Sequence, residues 1–165
     1  YTDHANDRVA HETATPRVAL DLLDVSGTVD GTSLVITLTF SSPIAPWSHQ
    51  AAASVDGFID LDLDENSETG IAGAAGEFGG SAPLGAEYYV SLRDIEPGYV
   101  ALIEVATYTH RIAPATWSGS TMRVTLPRAR LADADGQFRL SVVIGHPELP
   151  ATDFAPSEGF YTVHR

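Results

Sequence analysis

The residues best placed to do chemistry lie in one acidic run, Phe58-Ile59-Asp60-Leu61-Asp62-Leu63-Asp64-Glu65-Asn66-Ser67-Glu68-Thr69-Gly70. Side chains alternate along a strand, so Asp60, Asp62 and Asp64 leave one face while Ile59, Leu61 and Leu63 anchor the other. Neighbouring carboxylates on that face stand about 7 Å apart, and at an effective dielectric near 20 each pair repels by roughly 2 kcal/mol. Glu65 and Glu68 add to the same field, and no Arg lies nearer in sequence than Arg93. Left uncompensated, the repulsion takes a large share of a domain's usual margin of about 5–15 kcal/mol. A bound cation would remove it.

The donor atoms select the cation. They are hard oxygens with no Cys or His among them, which suits calcium or magnesium and not zinc or copper. Asp62-x-Asp64-x-Asn66 fits positions 1, 3 and 5 of a calcium loop, with the Glu68 backbone carbonyl at position 7. The fit then ends: position 6 is Ser67 where an EF-hand has Gly, and position 12 is Gly73 where it has a bidentate Glu. The expected site is therefore a calcium loop at a strand end that takes its last acid from elsewhere. Glu87, in Gly85-Ala86-Glu87-Tyr88-Tyr89, is the candidate, because a long loop can return it beside the aspartates. The expected ligands are the side chains of Asp62, Asp64, Asn66 and Glu87 and the backbone of Glu68, with Asp60 as an outer or alternative ligand. The competing reading is a solvated acidic edge that discourages strand-to-strand aggregation.

Asp62-x-Asp64-x-Asn66-x-x-Thr69-Gly70, a glycine-rich gap and then Gly85-Ala86-Glu87-Tyr88 resembles the calcium-binding β-sandwich accessory modules of secreted bacterial proteins. Thr152-Asp153-Phe154-Ala155-Pro156 with Gly159 is similar to their C-terminal strand region. The resemblance implies a secreted accessory domain, often beside a hydrolase, and names no ligand.

Other chemistries are weaker. The six histidines, His4, His11, His49, His110, His146 and His164, form no His-x-His or His-x-x-x-His pair. Asp133-Ala134-Asp135-Gly136 reads as a turn before a strand, with a second metal site as the alternative. Asp153 reads as a brace for its loop, with reach to the first site as the alternative. Gly70–Gly85 has no Lys and no following helix, so it is no phosphate loop. There is no Gly-x-Ser-x-Gly elbow, and no Cys to serve as nucleophile, disulfide or thiolate ligand. One enzymatic alternative stands, a small jelly-roll glycoside hydrolase using the carboxylates of Asp60, Asp62, Asp64 and Glu65. A sugar-binding face would need exposed aromatics, for which Trp47, Trp117, Tyr88, Tyr89, Tyr99 and Tyr108 are available. A coplanar, exposed Trp pair would favour sugar binding, and buried Trp a spacer.

The elements that must position these residues are strands. Short alternating runs rich in Val, Ile and Thr fall at Val18–Val25, Leu34–Phe40, Phe58–Leu63, Glu87–Leu92, Tyr99–Tyr108, Met122–Leu126, Phe138–Ile144 and Phe160–Val163. Asp30-Gly31 is expected to make a type I′ hairpin turn. Only Pro43–Val55 has composition for a short helix, and Pro46 breaks its start. The expected fold is a single all-β antiparallel β-sandwich, jelly-roll-like, of about nine strands. Residues 17–165 form it, and 1–16 are an N-terminal tail or linker.

At 165 residues the chain suits one domain, and 44% hydrophobic with 19% charged residues is globular composition. It carries 22 acids against 9 bases, all Arg, a net charge of −13 that repels nucleic acid and anionic lipid. No apolar run is long enough to insert in a membrane. The expectation is a monomeric, calcium-stabilised, non-catalytic domain of an exported bacterial protein, secreted or at the cell surface, with its signal peptide removed. Its expected partners are a polysaccharide or a neighbouring catalytic domain of the same chain.

Overall fold

The computed structural model describes residues 20–48, 53–73, 83–131, 136–146, 149–156 and 159–164. The expected tail at 1–16, the helix-prone centre at 49–52 and the Asp133/Asp135 turn lie outside these. The strands are β1 (Leu22–Val29), β2 (Ser33–Phe40), β3 (Gly57–Asp62), β4 (Tyr88–Glu96), β5 (Tyr99–Glu104), β6 (Thr109–Ser118), β7 (Thr121–Pro127), β8 (Phe138–His146), β9 (Leu149–Ala155) and β10 (Tyr161–Val163). A 3₁₀ turn covers Arg128–Arg130.

The fold is all-β and every paired strand is antiparallel. The order is β1-β2-β7-β6-β5-β4-β3-β8-β10, with β9 also on β8. Hydrogen bonding thus runs from β1 to β10 through one curled, nearly barrel-shaped antiparallel path. Strand β6 is the corner: Thr109–Pro114 pair with β5, and Ala115–Ser118 pair with β7. At the open seam the Asp153 carboxylate of β9 accepts the backbone N–H of Leu22 in β1 at 2.6 Å.

Alternation accounts for the core. Ile36, Leu38 and Phe40 from β2, Ile59 and Leu61 from β3, and Phe138, Leu140, Val142 and Ile144 from β8 point inward and are buried. Each such side chain contributes about 1.5–3 kcal/mol on burial. The Asp30-Gly31 hairpin is present but is not the expected type I′ turn, because Gly31 is not among the positive-φ residues. Instead Asp30 Oδ1 accepts the N–H groups of Thr32 and Ser33, both at 2.7 Å, an Asx-type turn that needs no left-handed residue. The described residues of Pro43–Val55 are not helical and are tied by an Ala45–Ser54 bridge. The run Tyr99–Tyr108 divides into β5 and a turn whose last residue, Tyr108, has φ 51°.

Candidate metal centre

Strand β3 delivers Asp60 and Asp62 to the face opposite the core, as the alternation requires. Both are nevertheless buried, Asp60 at 2% and Asp62 at 0% exposure. The 66–73 and 83–87 segments account for this. Ile71 and Ala86 form a two-way backbone bridge, with N–H···O distances of 3.0 and 2.7 Å. Gly70 and Gly85 permit that approach: their φ values are +60° and +84°, and a Cβ on either would drive into backbone, at Ala86 and Asn66 respectively. The glycines flanking the loop therefore make possible the return of Glu87 to Asp64.

Asp62, Asp64 and Glu87 come together. One carboxylate oxygen from each lies within 4.8 Å of the others, a group that could hold a metal ion. Glu87 is anchored on both oxygens: Oε2 accepts the Leu63 N–H at 2.8 Å and Oε1 lies 3.0 Å from Thr69 Oγ1. Asp64 Oδ1 accepts the Asn66 N–H at 2.9 Å. Thr69 Oγ1 is the hub, within 2.8–3.1 Å of both Asp64 oxygens, the Asn66 carbonyl and Glu87 Oε1. A hydroxyl carries one hydrogen, so four acceptor oxygens converge on a single donor. The centre is rich in lone pairs and poor in protons.

Asp62 is the extreme case. Neither of its oxygens accepts a hydrogen bond of good geometry, although the side chain is fully buried. Its nearest cation is Arg139, with Nη1 3.6 Å from Oδ2. Burial first, and then the Glu87 charge, push its pKa from 3.8 up to about 6; Arg139 pulls the other way, Asp64 adds to the rise, and the Glu65 backbone N–H lowers it slightly. A buried carboxylate without hydrogen bonds is costly. A cation bound between Asp62, Asp64 and Glu87 is the arrangement that would satisfy it.

The remaining expected ligands have other contacts. Asn66 Oδ1 accepts the Glu68 N–H at 3.1 Å, which shapes the loop, and Glu68 itself is exposed. Asp60 sits further along β3, 3.5 Å from Ser141 Oγ and against Gly73, outside the triad. Among the described residues no histidine belongs to a metal-capable group. Asp153 braces β1, and its Oδ1 also accepts the Phe154 N–H at 2.9 Å.

Two residues at this centre, Thr69 and Arg139, lie outside the expected ligand set. Thr69 lies within the quoted motif, and its position after Asp-x-Asn was the available signal. Arg139 lies far along the chain and reaches the centre only because it is the register partner of Asp62 across β3 and β8. Its place on the non-core face of an alternating strand was readable, but its neighbour was not.

Among the described residues no helix is long and apolar enough to cross a membrane. Comparison with protein-family models, with curated proteins and with solved structures finds no match, so the class of this protein rests on its fold and its acidic centre.

Proposed function

We propose that this is a calcium-stabilised, non-catalytic accessory domain of an exported bacterial protein, with Asp62, Asp64 and Glu87 as the carboxylate ligands. The Asn66 side chain and the Glu68 backbone carbonyl complete the ligand set, with Asp60 as an outer or alternative ligand. The observation that carries the reading is Asp62, fully buried, with no hydrogen bond of good geometry to either oxygen, and within 4.8 Å of two further carboxylates. Oxygen-only donors on a loop suit calcium's irregular shell better than the strict octahedron of magnesium.

Within that class, a spacing or stabilising task is favoured over tryptophan-based sugar binding. Trp117 is half-buried against the core, and the Arg93 guanidinium covers the Trp47 ring at 4.2 Å from its centroid. The exposed tyrosines, Tyr99 and Tyr108, stand at opposite ends of the β5–β6 hairpin. The glycoside hydrolase alternative needs carboxylates that a sugar can reach, and the burial of Asp60 and Asp62 weighs against it.

The deciding experiment compares melting in EDTA and in millimolar calcium. A ligand at 100 times its dissociation constant stabilises by about 2.7 kcal/mol. For a domain of this size that raises the melting temperature by roughly 5–10 °C. Magnesium is expected to do much less. Equal melting in EDTA and calcium, with no calorimetric binding, would show that the cluster is only a charged edge.

A further inference from the structure

Among the described residues one positive charge, Arg139, pairs with the acidic centre. Arg139 stands opposite Asp62 in the β3–β8 register, on the same outer face. Nη1 is 3.6 Å from Asp62 Oδ2 and Nη2 is 3.8 Å from Glu65 Oε2. Both separations allow attraction but are too long for hydrogen bonds, whereas a guanidinium committed to a carboxylate makes two short parallel ones. The guanidinium is seated instead over the Phe160 ring, 4.6 Å from its centroid, with its side chain 23% exposed. Glu65 is brought to it by a left-handed backbone, φ 55°. Asp62 and Glu65 thus face one guanidinium at the edge of the Asp62–Asp64–Glu87 group, and among the described residues no other ion pair to these acids is formed.

We propose that Arg139 is the resident counter-cation of this centre: it partly neutralises Asp62 and Glu65 when no metal is bound, and opposes the metal for the same carboxylates. Arg139 therefore sets how much metal is needed to fill the site. This rests on the metal reading above. The guanidinium is close enough to lower the charge felt by an incoming dication, yet makes no short hydrogen bond to the carboxylates and rests over the Phe160 ring.

The opposing signs make the test specific. Calcium is titrated into wild type, Arg139→Gln and Arg139→Met at one pH and ionic strength, and melting is measured in EDTA alongside. Both neutral variants are expected to bind calcium about tenfold more tightly, since a unit charge a few ångströms from a dication is worth at least that at an effective dielectric near 20. Both should also melt below wild type in EDTA. Arg139→Met keeps the hydrocarbon stem over Phe160 and decides the matter if Arg139→Gln does not fold without metal. Arg139→Lys keeps the charge and should stay within about threefold of wild-type affinity. Neutral variants that bind calcium no more tightly than wild type would overturn the proposal while leaving the metal site standing. No calcium heat from any of the proteins would overturn the metal reading and this proposal with it.

Discussion

Glu87 and Leu63 are 24 residues apart in sequence, yet Glu87 Oε2 accepts the Leu63 backbone N–H at 2.8 Å. That bond fixes the acid at the end of β3, where Asp62 and Asp64 flank it. The Glu87 N–H is also paired, to the Leu61 carbonyl at 3.0 Å, so backbone and side chain hold the residue together. The third carboxylate is thereby preorganised, and little ordering remains to be done when a cation arrives.

Asp62→Asn should remove most of the calcium increment in melting temperature while raising the melting temperature in EDTA. The substitution deletes a buried charge that has no hydrogen bond of good geometry, and it leaves the shape almost unchanged. A gain of about 1–2 kcal/mol in EDTA, read by thermal or urea unfolding, is the expected size. A variant less stable than wild type in EDTA would show that the carboxylate is satisfied after all.

Stability in EDTA should fall as pH rises from about 4 to about 6. Asp62 titrates at about 6 in the fold against 3.8 ordinarily, through burial first and the Glu87 charge second. A carboxyl whose folded pKa is raised adds stability when protonated, fully below the unfolded value, and this is lost as pH rises through the folded value. Wild type should therefore gain on Asp62→Asn as the pH of the EDTA buffer is lowered from 7.5 to 5. In calcium the sign reverses, because protons compete with the metal below about pH 6. Parallel pH profiles for the two proteins in EDTA would refute the assignment.

Gly85→Ala should destabilise the fold by at least about 1–3 kcal/mol, since an alanine at φ +84° is strained and its Cβ meets the Asn66 carbonyl. It should also abolish most calcium binding, because Glu87 loses its approach. Gly31→Ala is the control: nothing lies within 4 Å of its Cβ position, and the change should stay within about 0.5 kcal/mol. Wild-type calcium affinity in Gly85→Ala would separate Glu87 from the centre.

Asp153→Ala should cost about 1–3 kcal/mol by leaving the Leu22 and Phe154 N–H groups without this acceptor. The calcium increment should be unchanged, because Asp153 is not in the acidic centre. Loss of calcium binding in a folded Asp153→Ala protein would mean that the seam and the centre are coupled.

Strand identity was written into the sequence wherever one face is buried. Leu34, Ile36, Leu38 and Phe40 alternate because β2 has a core side, and the same rule placed Asp60 and Asp62 together on β3. Oxygen-only donors at that spacing, with Glu87 after a glycine-flanked gap, announced the acidic centre. Strand β6 was invisible because its inward residues, Ala113 and Ala115, are small and most of the others are exposed. Strand β9 contains Pro150 and a buried Asp153, neither of which reads as strand. The long-range facts needed the folded chain. Alternation says which face a side chain takes but not which strand lies beside it, so the pairing of Asp62 with Arg139 was not determined locally. Burial of the aspartates likewise depended on a distant bridge, Ile71 to Ala86, laid across two glycines. The sequence alone determined an all-β chain with an acidic loop; only the tertiary structure decided that one of those acids is dry, short of hydrogen bonds and faced by Arg139, because dielectric and register are properties of packed neighbours.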